Sequence, residues 1–357
     1  MYLRSITISN VRKIASADLD LNPATNIFTG ANGSGKTTVL EALYLLCGGR
    51  SFRTARSREI IKHNTDVLTV TGDLANGDLS SFIGVEKTKS ATRLRLNEEN
   101  VKSASLVVRQ LPMLVINTES FRLLEGGPSN RRDLIDRLLF HVEPRYLGYL
   151  RQYYNVLKQR NASLRKNLSE KEIRLWDEPL CESGLIIDDL RTKQVEILNQ
   201  AVKATGIEPN IGNILLRYEK GWRKGETMAS AMESSINRDR SLGTTVSGPH
   251  RAELKVDVDE RPAKASLSRG QIKLVVTALI VAMSRSISAA SGNPPLLLVD
   301  DLASELDVLT KSKAIQLLME LKTQAFFTAI EYNLLSEMAV FNPGVFHVEQ
   351  GRLTSVS

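Results

Sequence analysis

Thiol and imidazole are scarce in this sequence: two cysteines, Cys47 and Cys181, and four histidines in 357 residues. Two thiols cannot build a disulfide framework, so a reducing compartment is expected. The histidines, His63, His141, His250 and His347, are scattered, which leaves a metal-hydrolase reading without a ligand cluster. Proline (11) and glycine (22) are too few for a collagenous or low-complexity chain. Long apolar runs are missing as well. The longest nearly uncharged one, Leu274 to Met283, has ten residues, against the roughly 20 that a spanning helix needs. Met1 to Ile8 alternates polar and apolar like a strand and lacks the charged-then-apolar order of a signal peptide. A soluble, cytoplasmic protein with no membrane partner is therefore expected.

What is present is globular: 42% hydrophobic and 24% charged residues, in a length that suits one large domain or a few of roughly 100 to 200 residues. Lys+Arg 47 against Asp+Glu 40 leaves +7 at neutral pH, and the excess is concentrated. Residues 50–62 carry +4 and residues 145–166 carry +6, so the rest of the chain is net −3.

The segment Gly30-Ala31-Asn32-Gly33-Ser34-Gly35-Lys36-Thr37 satisfies the G-x-x-x-x-G-K-[ST] pattern in full. Asn26 to Thr29 before it reads as a short strand. Thr38 to Leu46 after it reads as an amphipathic helix stopped by Gly48-Gly49. Strand, glycine loop and helix start gather backbone N–H groups around one point, which suits the phosphates of ATP. Lys36 is expected to reach the β- and γ-phosphates and Thr37 to ligate Mg²⁺ through its hydroxyl, with Thr38 beside them in the same cradle.

A hydrolytic P-loop protein also needs a carboxylate at the end of a buried strand. Leu296-Leu297-Leu298-Val299-Asp300-Asp301 is an apolar run ending in two, as expected of a parallel strand covered on both faces. Asp300 is expected to bind Mg²⁺, and Asp301 to orient or deprotonate the attacking water. With Lys36 they form the candidate catalytic set, and Ser304-Glu305-Leu306-Asp307 follows. Upstream, Leu267-Ser268-Arg269-Gly270-Gln271 opens Ile272 to Met283, a helix apolar on nearly every side. Ser268 suits an N-cap, and the helix start offers N–H groups to an anion. This stretch resembles the LSxGQ signature of ABC-type ATPases. The 264 residues from Lys36 to Asp300 exceed one βαβ crossover and predict structure inserted into a split core.

Within that insertion, Val67 to Leu74, Leu79 to Val85 and Thr92 to Leu96 alternate like antiparallel strands. Helical patterns follow over Ser129 to Phe140, Pro144 to about Leu168, and Ile186 to Thr205. In the helix from Pro144, the residues Tyr146, Leu150, Tyr153, Leu157 and Leu164 form one apolar stripe. Arg151, Lys158 and Arg165, spaced by seven, lie opposite, on a helix that also carries Arg145, Arg160 and Lys166. Such a basic face suits a DNA backbone and suits plain solvent equally, and both readings also hold for Arg50 to Lys62.

Seven segments in order carry a resemblance over essentially the full length. They are the P-loop; Gly49-Arg50-Ser51-Phe52-Arg53; Gly126-Gly127-Pro128 with Arg131-Arg132 and Asp136; Leu157-Lys158-Gln159-Arg160-Asn161; Ser247-Gly248-Pro249-His250-Arg251-Ala252-Glu253-Leu254; Leu267 to Gln271; and Leu298 to Asp301 with Ser304 to Asp307. Together they resemble the RecF family of bacterial recombination and repair ATPases, in the ABC-type head class. The resemblance implies an α/β fold, an ABC-type P-loop ATPase head. Lobe I would be a mixed sheet around the P-loop helix (1–118 and 241–357), with a mainly helical lobe II inserted (119–240). It implies an ATP- and Mg²⁺-dependent homodimer in which Ser268, Gly270 and Gln271 of one subunit, with Asp307, complete the nucleotide site of the other. It also implies binding of single-stranded and double-stranded DNA, and a RecR-like mediator as partner.

The family's N-[FY]-R-N stands here as Asn10-Val11-Arg12-Lys13, with Arg12 as the implied contact on the base side. There is no clear Q-loop glutamine near Asn117-Thr118-Glu119, and Thr328 stands where transporter ATPases carry a switch histidine. An aspartate at 301, shorter than a glutamate, predicts slow hydrolysis. A transporter-type nucleotide-binding subunit shares the P-loop, signature and acidic strand, but the helical insertion and Gly248-Pro249-His250-Arg251 disfavour it. An SMC-type organiser would need hundreds of heptad residues, and a small-molecule phosphotransferase would need an acceptor pocket that no motif supplies.

Overall fold

In the computed structural model, all residues are described except Asp78, Glu98, residues 303–305 and Ser357. Ser304 and Glu305 therefore lie outside the described residues. The chain divides into two units, one of Met1–Ser120 with Ile287–Ser357 and one of Phe121–Ser286. The inserted unit thus runs on past residue 240, where the sequence suggested that the core resumes. Strand pairing is the reason: Glu253–Val258 lies antiparallel to Ile214–Glu219, with Val256 opposite Leu216, which ties residues beyond 240 to the helices before them.

The first unit is built around the P-loop helix, Lys36–Leu46. Only Thr37 and Tyr44 of that helix escape full burial, so it is a core helix with no solvent face, and the amphipathic reading of it is corrected. On one side it meets a six-stranded antiparallel sheet, ordered Ile14–Asp20, Tyr2–Val11, Val67–Asn76, Leu79–Thr88, Thr92–Leu96, Glu99–Asn100. The second six-stranded sheet is ordered Arg352–Ser355, Gly344–Glu349, Thr25–Thr29, Ala325–Ala329, Leu296–Val299, Met113–Ile116. All its neighbours run parallel except the edge pair Gly344–Glu349 and Arg352–Ser355. Val39, Leu40 and Leu43 of the helix share one core with Ile6, Val70 and Ile83 of the first sheet and Leu298, Phe326 and Phe346 of the second. Each such side chain taken out of water contributes roughly 1.5–3 kcal/mol. The mouth of the P-loop sits where the parallel strands end, the usual location for ligands in such sheets.

The second unit packs the helices Pro128–Val142, Tyr146–Arg165 and Asp177–Lys203 with a three-stranded sheet. The last of these helices starts at Asp177, well before the predicted Ile186. Asp177 and Glu178 in its first turn complement the helix dipole. Of the predicted stripe, Tyr146, Tyr153, Leu157 and Leu164 are buried and Leu150 is half-buried, while Arg151, Lys158 and Arg165 are exposed. Arg160 departs from this pattern, because it is fully buried. Helix Arg269–Ser291 is long and apolar enough to cross a membrane by length and composition. Its Val275, Val276, Ala278 and Val281 are nevertheless wholly buried within the protein, which makes it a core helix.

Candidate nucleotide site

Three glycines of the loop adopt φ values that side chains avoid: Gly30 at 146°, Gly33 at 77° and Gly35 at 122°. At Gly30 space is also decisive, since a Cβ there would meet the Val348 carbonyl oxygen at 2.2 Å. The Gly351 N–H donates to the Ser34 carbonyl at 2.8 Å, so the turn after Gly344–Glu349 braces the loop. The Ser34 hydroxyl is buried without a protein partner. An orphaned donor inside a glycine cradle fits the phosphates of a nucleotide. Lys36 Nζ donates to the Gly30 and Ala31 carbonyls at 2.6 and 3.0 Å. Burial lowers its pKa, and the charges of Asp301 and Asp300 oppose that shift. Lys13, which the sequence reading passed over, donates to the Gly33 carbonyl at 2.9 Å; its place beside Arg12 was the available signal.

The strand Leu296–Val299 delivers Asp300 to this mouth. Thr37 Oγ1 lies 3.0 Å from both carboxylate oxygens of Asp300. Two hard oxygen donors at that spacing, one in the first turn of the P-loop helix and one just past the strand, suit Mg²⁺. The Thr328 hydroxyl donates to Asp300 Oδ1 at 2.8 Å and accepts from the Asp301 N–H at 2.9 Å. Thr328, at the place of the transporters' switch histidine, is therefore a buried residue inside the strand Ala325–Ala329 that fastens both aspartates. Burial raises the Asp300 pKa, the bonds from Thr328 and Thr37 oppose the rise, and Asp301 adds to it.

Behind the loop, Glu41 of the P-loop helix is fully buried. Arg12 chelates it, with Nη2 at 2.8 Å from Oε1 and Nε on Oε2. Ser51 donates its hydroxyl to the same carboxylate, and Arg53 Nη1 stands 3.6 Å away. Arg12, expected on the base side, is thus held by Glu41, and it takes a left-handed φ of 48° to get there. The positive charge of Arg53 also reaches Asp300 and weakly opposes the rise in its pKa. No motif marks Glu41, whose partners lie 29 and 10 residues away.

Residues 2–354 match the family model described as the RecF/RecN/SMC N terminal domain. Over 360 residues the chain is 37% identical to the DNA replication and repair protein RecF of Shewanella pealeana, covering all of both chains. The chain belongs to the RecF family. A RecF of Pseudomonas syringae pv. syringae is 38% identical over 361 residues, covering 99% of this chain and 98% of that one. Among solved structures, a recombination mediator protein RecF described with ATPrS superposes with a TM-score of 0.88 at 24% identity, covering 100% and 98% of the two chains. An SMC head bound to a ScpA domain superposes at 0.57 with 13% identity, covering 100% of this chain and 98% of that one. The fold is that of the ABC-type ATPase head.

The RecF-like segments of the second unit divide into an exposed one and a set that binds its elements together. In the signature, the Ser268 N–H donates to Gln271 Oε1 at 2.9 Å and the Gln271 N–H to Ser268 Oγ at 3.3 Å. This reciprocal capping box presents the start of Arg269–Ser291, with Ser268 exposed. Gly270 lies in its first turn. The other segments hold the unit together. Arg131 forks onto Glu253 at 2.8 Å twice, and Arg191 onto Asp136 at 2.9 Å twice. His250 sits 2.6 Å from Tyr153 Oη and 3.0 Å from the Thr245 carbonyl, and burial pushes its pKa down to about 4. Arg160 bonds Asp177, Asp239 and Thr245 at 2.7, 2.7 and 2.8 Å, so it is not part of a DNA-facing stripe. In the first unit, the Asp307 carboxylate caps Val308–Met319 by accepting from the Thr310 N–H at 2.9 Å.

Proposed function

We propose that the chain is an ATP-dependent DNA-binding protein of recombinational repair. ATP would drive it into a homodimer that binds single-stranded and duplex DNA at gaps. With a RecR-like mediator it would help load the recombinase, supporting replication restart and the SOS response in the cytoplasm. The observation that carries this reading is the Thr37–Asp300–Thr328 arrangement beside Lys36, in a chain alignable with RecF relatives from end to end. Lys36 and the loop N–H groups would bind the β- and γ-phosphates. Mg²⁺ held by Thr37 and Asp300 would supply charge neutralisation at those phosphates. Asp301 would orient the attacking water, and its short side chain supports a slow clock rather than a fast enzyme. The exposed start of the signature helix would face the γ-phosphate held by the second subunit.

Size-exclusion chromatography with Mg²⁺ alone, with ATP, and with ATP plus gapped DNA tests the clamp. A monomer that dimerises only when ATP is present is expected. Ser268→Arg should abolish that dimer while nucleotide binding survives. Dimers persisting in this variant would sink the sandwich arrangement.

A further inference from the structure

The charges exposed on the second unit are unevenly compensated. Over much of its surface, cations have carboxylate partners: Arg174 with Glu170 at 2.7 Å, Lys193 with Asp189 at 2.7 Å, Lys220 with Asp188 at 3.0 Å and Lys255 with Glu219 at 2.6 Å. Along the helix Tyr146–Arg165 the situation is reversed. From Pro144 to Ser169 the chain has no Asp or Glu at all. Arg151, Lys158, Arg165 and Lys166 are exposed, and among the described residues none of them has a carboxylate within ion-pair distance. The one basic residue on the buried side, Arg160, is the one that is paired.

Spacing turns these charges into a line. Seven residues advance a helix by about 10.5 Å and return to within about 20° of the same direction. Arg151, Lys158 and Arg165 therefore form a straight strip about 21 Å long, flanked by the exposed amides of Gln152, Asn155 and Gln159. The strip continues past the helix end. Arg240 reaches across to donate to Asn167 Oδ1 at 3.1 Å, and exposed Arg238 lies on the same short helix, Ile236–Leu242. Gly243, at φ 64°, leaves the room that Arg165 occupies: a Cβ there would stand 3.1 Å from Arg165 Cγ.

We propose that this strip, Arg151, Lys158, Arg165 and Lys166 continued by Arg238 and Arg240, is where the sugar-phosphate backbone of DNA binds, without base readout. The inference rests on the DNA-binding reading above and assigns its surface. Cations and amides with no carboxylate make a surface matched to a chain of phosphates, which are acceptors only. A protein partner would be met by an apolar centre, yet between Pro144 and Ser169 only Tyr154, at 44% exposed, is a large exposed apolar side chain among the described residues, and Leu242 is the one at the strip's far end.

Arg151→Gln, Lys158→Gln and Arg165→Gln combined are to be compared with a control of equal charge loss at the compensated cations, Arg174→Gln, Lys193→Gln and Lys255→Gln. Binding of a fluorescent gapped duplex is measured against salt with ATP present. The strip variant should bind at least tenfold more weakly, and its log K against log salt slope should fall by about 2.7, at about 0.9 per lost phosphate contact. The control should keep the wild-type slope. Nucleotide binding, read separately, should be unchanged in both, which shows that they fold. A wild-type slope in the strip variant, or an equal fall in both variants, would overturn the assignment and leave the strip to solvent or to an acidic protein. If the wild type itself binds no DNA with or without ATP, the underlying reading fails and the strip with it.

Discussion

At the scale of single residues, the site depends on hydroxyls and carboxylates that no motif names. Thr328 is the clearest case, because it opposes the effect of burial on Asp300. In Thr328→Val that opposition is lost, the Asp300 carboxyl becomes harder to ionise, and the acid limb of the ATPase pH profile should move to higher pH. Turnover at neutral pH should fall about tenfold, the equivalent of one hydrogen bond to a charged group; an unmoved limb would count against the role. Glu41 makes a second prediction. Glu41→Ala leaves Arg12, whose side chain is only 22% exposed, without its partner, and should cost about 3 kcal/mol in urea unfolding. Removing Arg12 as well should restore part of that loss, since the two act as a pair. The P-loop and the two aspartates were legible because each stands at a fixed place in a strand-loop-helix or strand-end pattern. Glu41 was not, because one carboxylate among apolar neighbours reads as the wet face of an amphipathic helix, and its arginine lies in a different strand turn.

At the scale of elements, the RecF-like turn Gly248-Pro249-His250-Arg251 is a fastening between helices. His250 is buried in its neutral form, bonded to Tyr153 and to the Thr245 carbonyl. Its folded pKa of about 4 lies below the ordinary value of 6.5, so the unfolded chain binds the proton more readily. Stability from this group is fully present above pH 6.5 and is lost as pH falls from there toward 4, by up to about 3 kcal/mol. Urea midpoints measured between pH 7.5 and 4.5 should show this slope in the wild type and a shallower one in His250→Gln. The periodicity of Tyr146–Arg165 was readable, and so was its buried stripe. Arg160 was misplaced because its two acids come from Asp177 and Asp239, 17 and 79 residues on, a distance over which a helical projection carries no information.

At the scale of the whole molecule, the proposed function makes the P-loop, Asp301 and the exposed signature cap the parts of a clamp that would hold its state longer than it turns over. Steady-state hydrolysis should stay well below about 10 s⁻¹, the median for enzymes, and a faster rate would contradict the clamp. The split of the core was predictable from the distance between Lys36 and Asp300. The end of the inserted unit was not, since the pairing of Ile214–Glu219 with Glu253–Val258 leaves no mark in composition.

The order of strands in the parallel sheet has a consequence for synthesis. Thr25–Thr29, which leads into the P-loop, has as its two neighbours Ala325–Ala329 and Gly344–Glu349, and the Leu3 N–H is satisfied by Gln324. All three partners emerge last from the ribosome. At about 5–20 residues per second, the phosphate loop waits on the order of ten seconds to a minute for the strands that brace it. A nascent or truncated chain therefore lacks the strands that brace the phosphate loop, and the proposed ATP-held state would be open only to molecules whose translation has reached them.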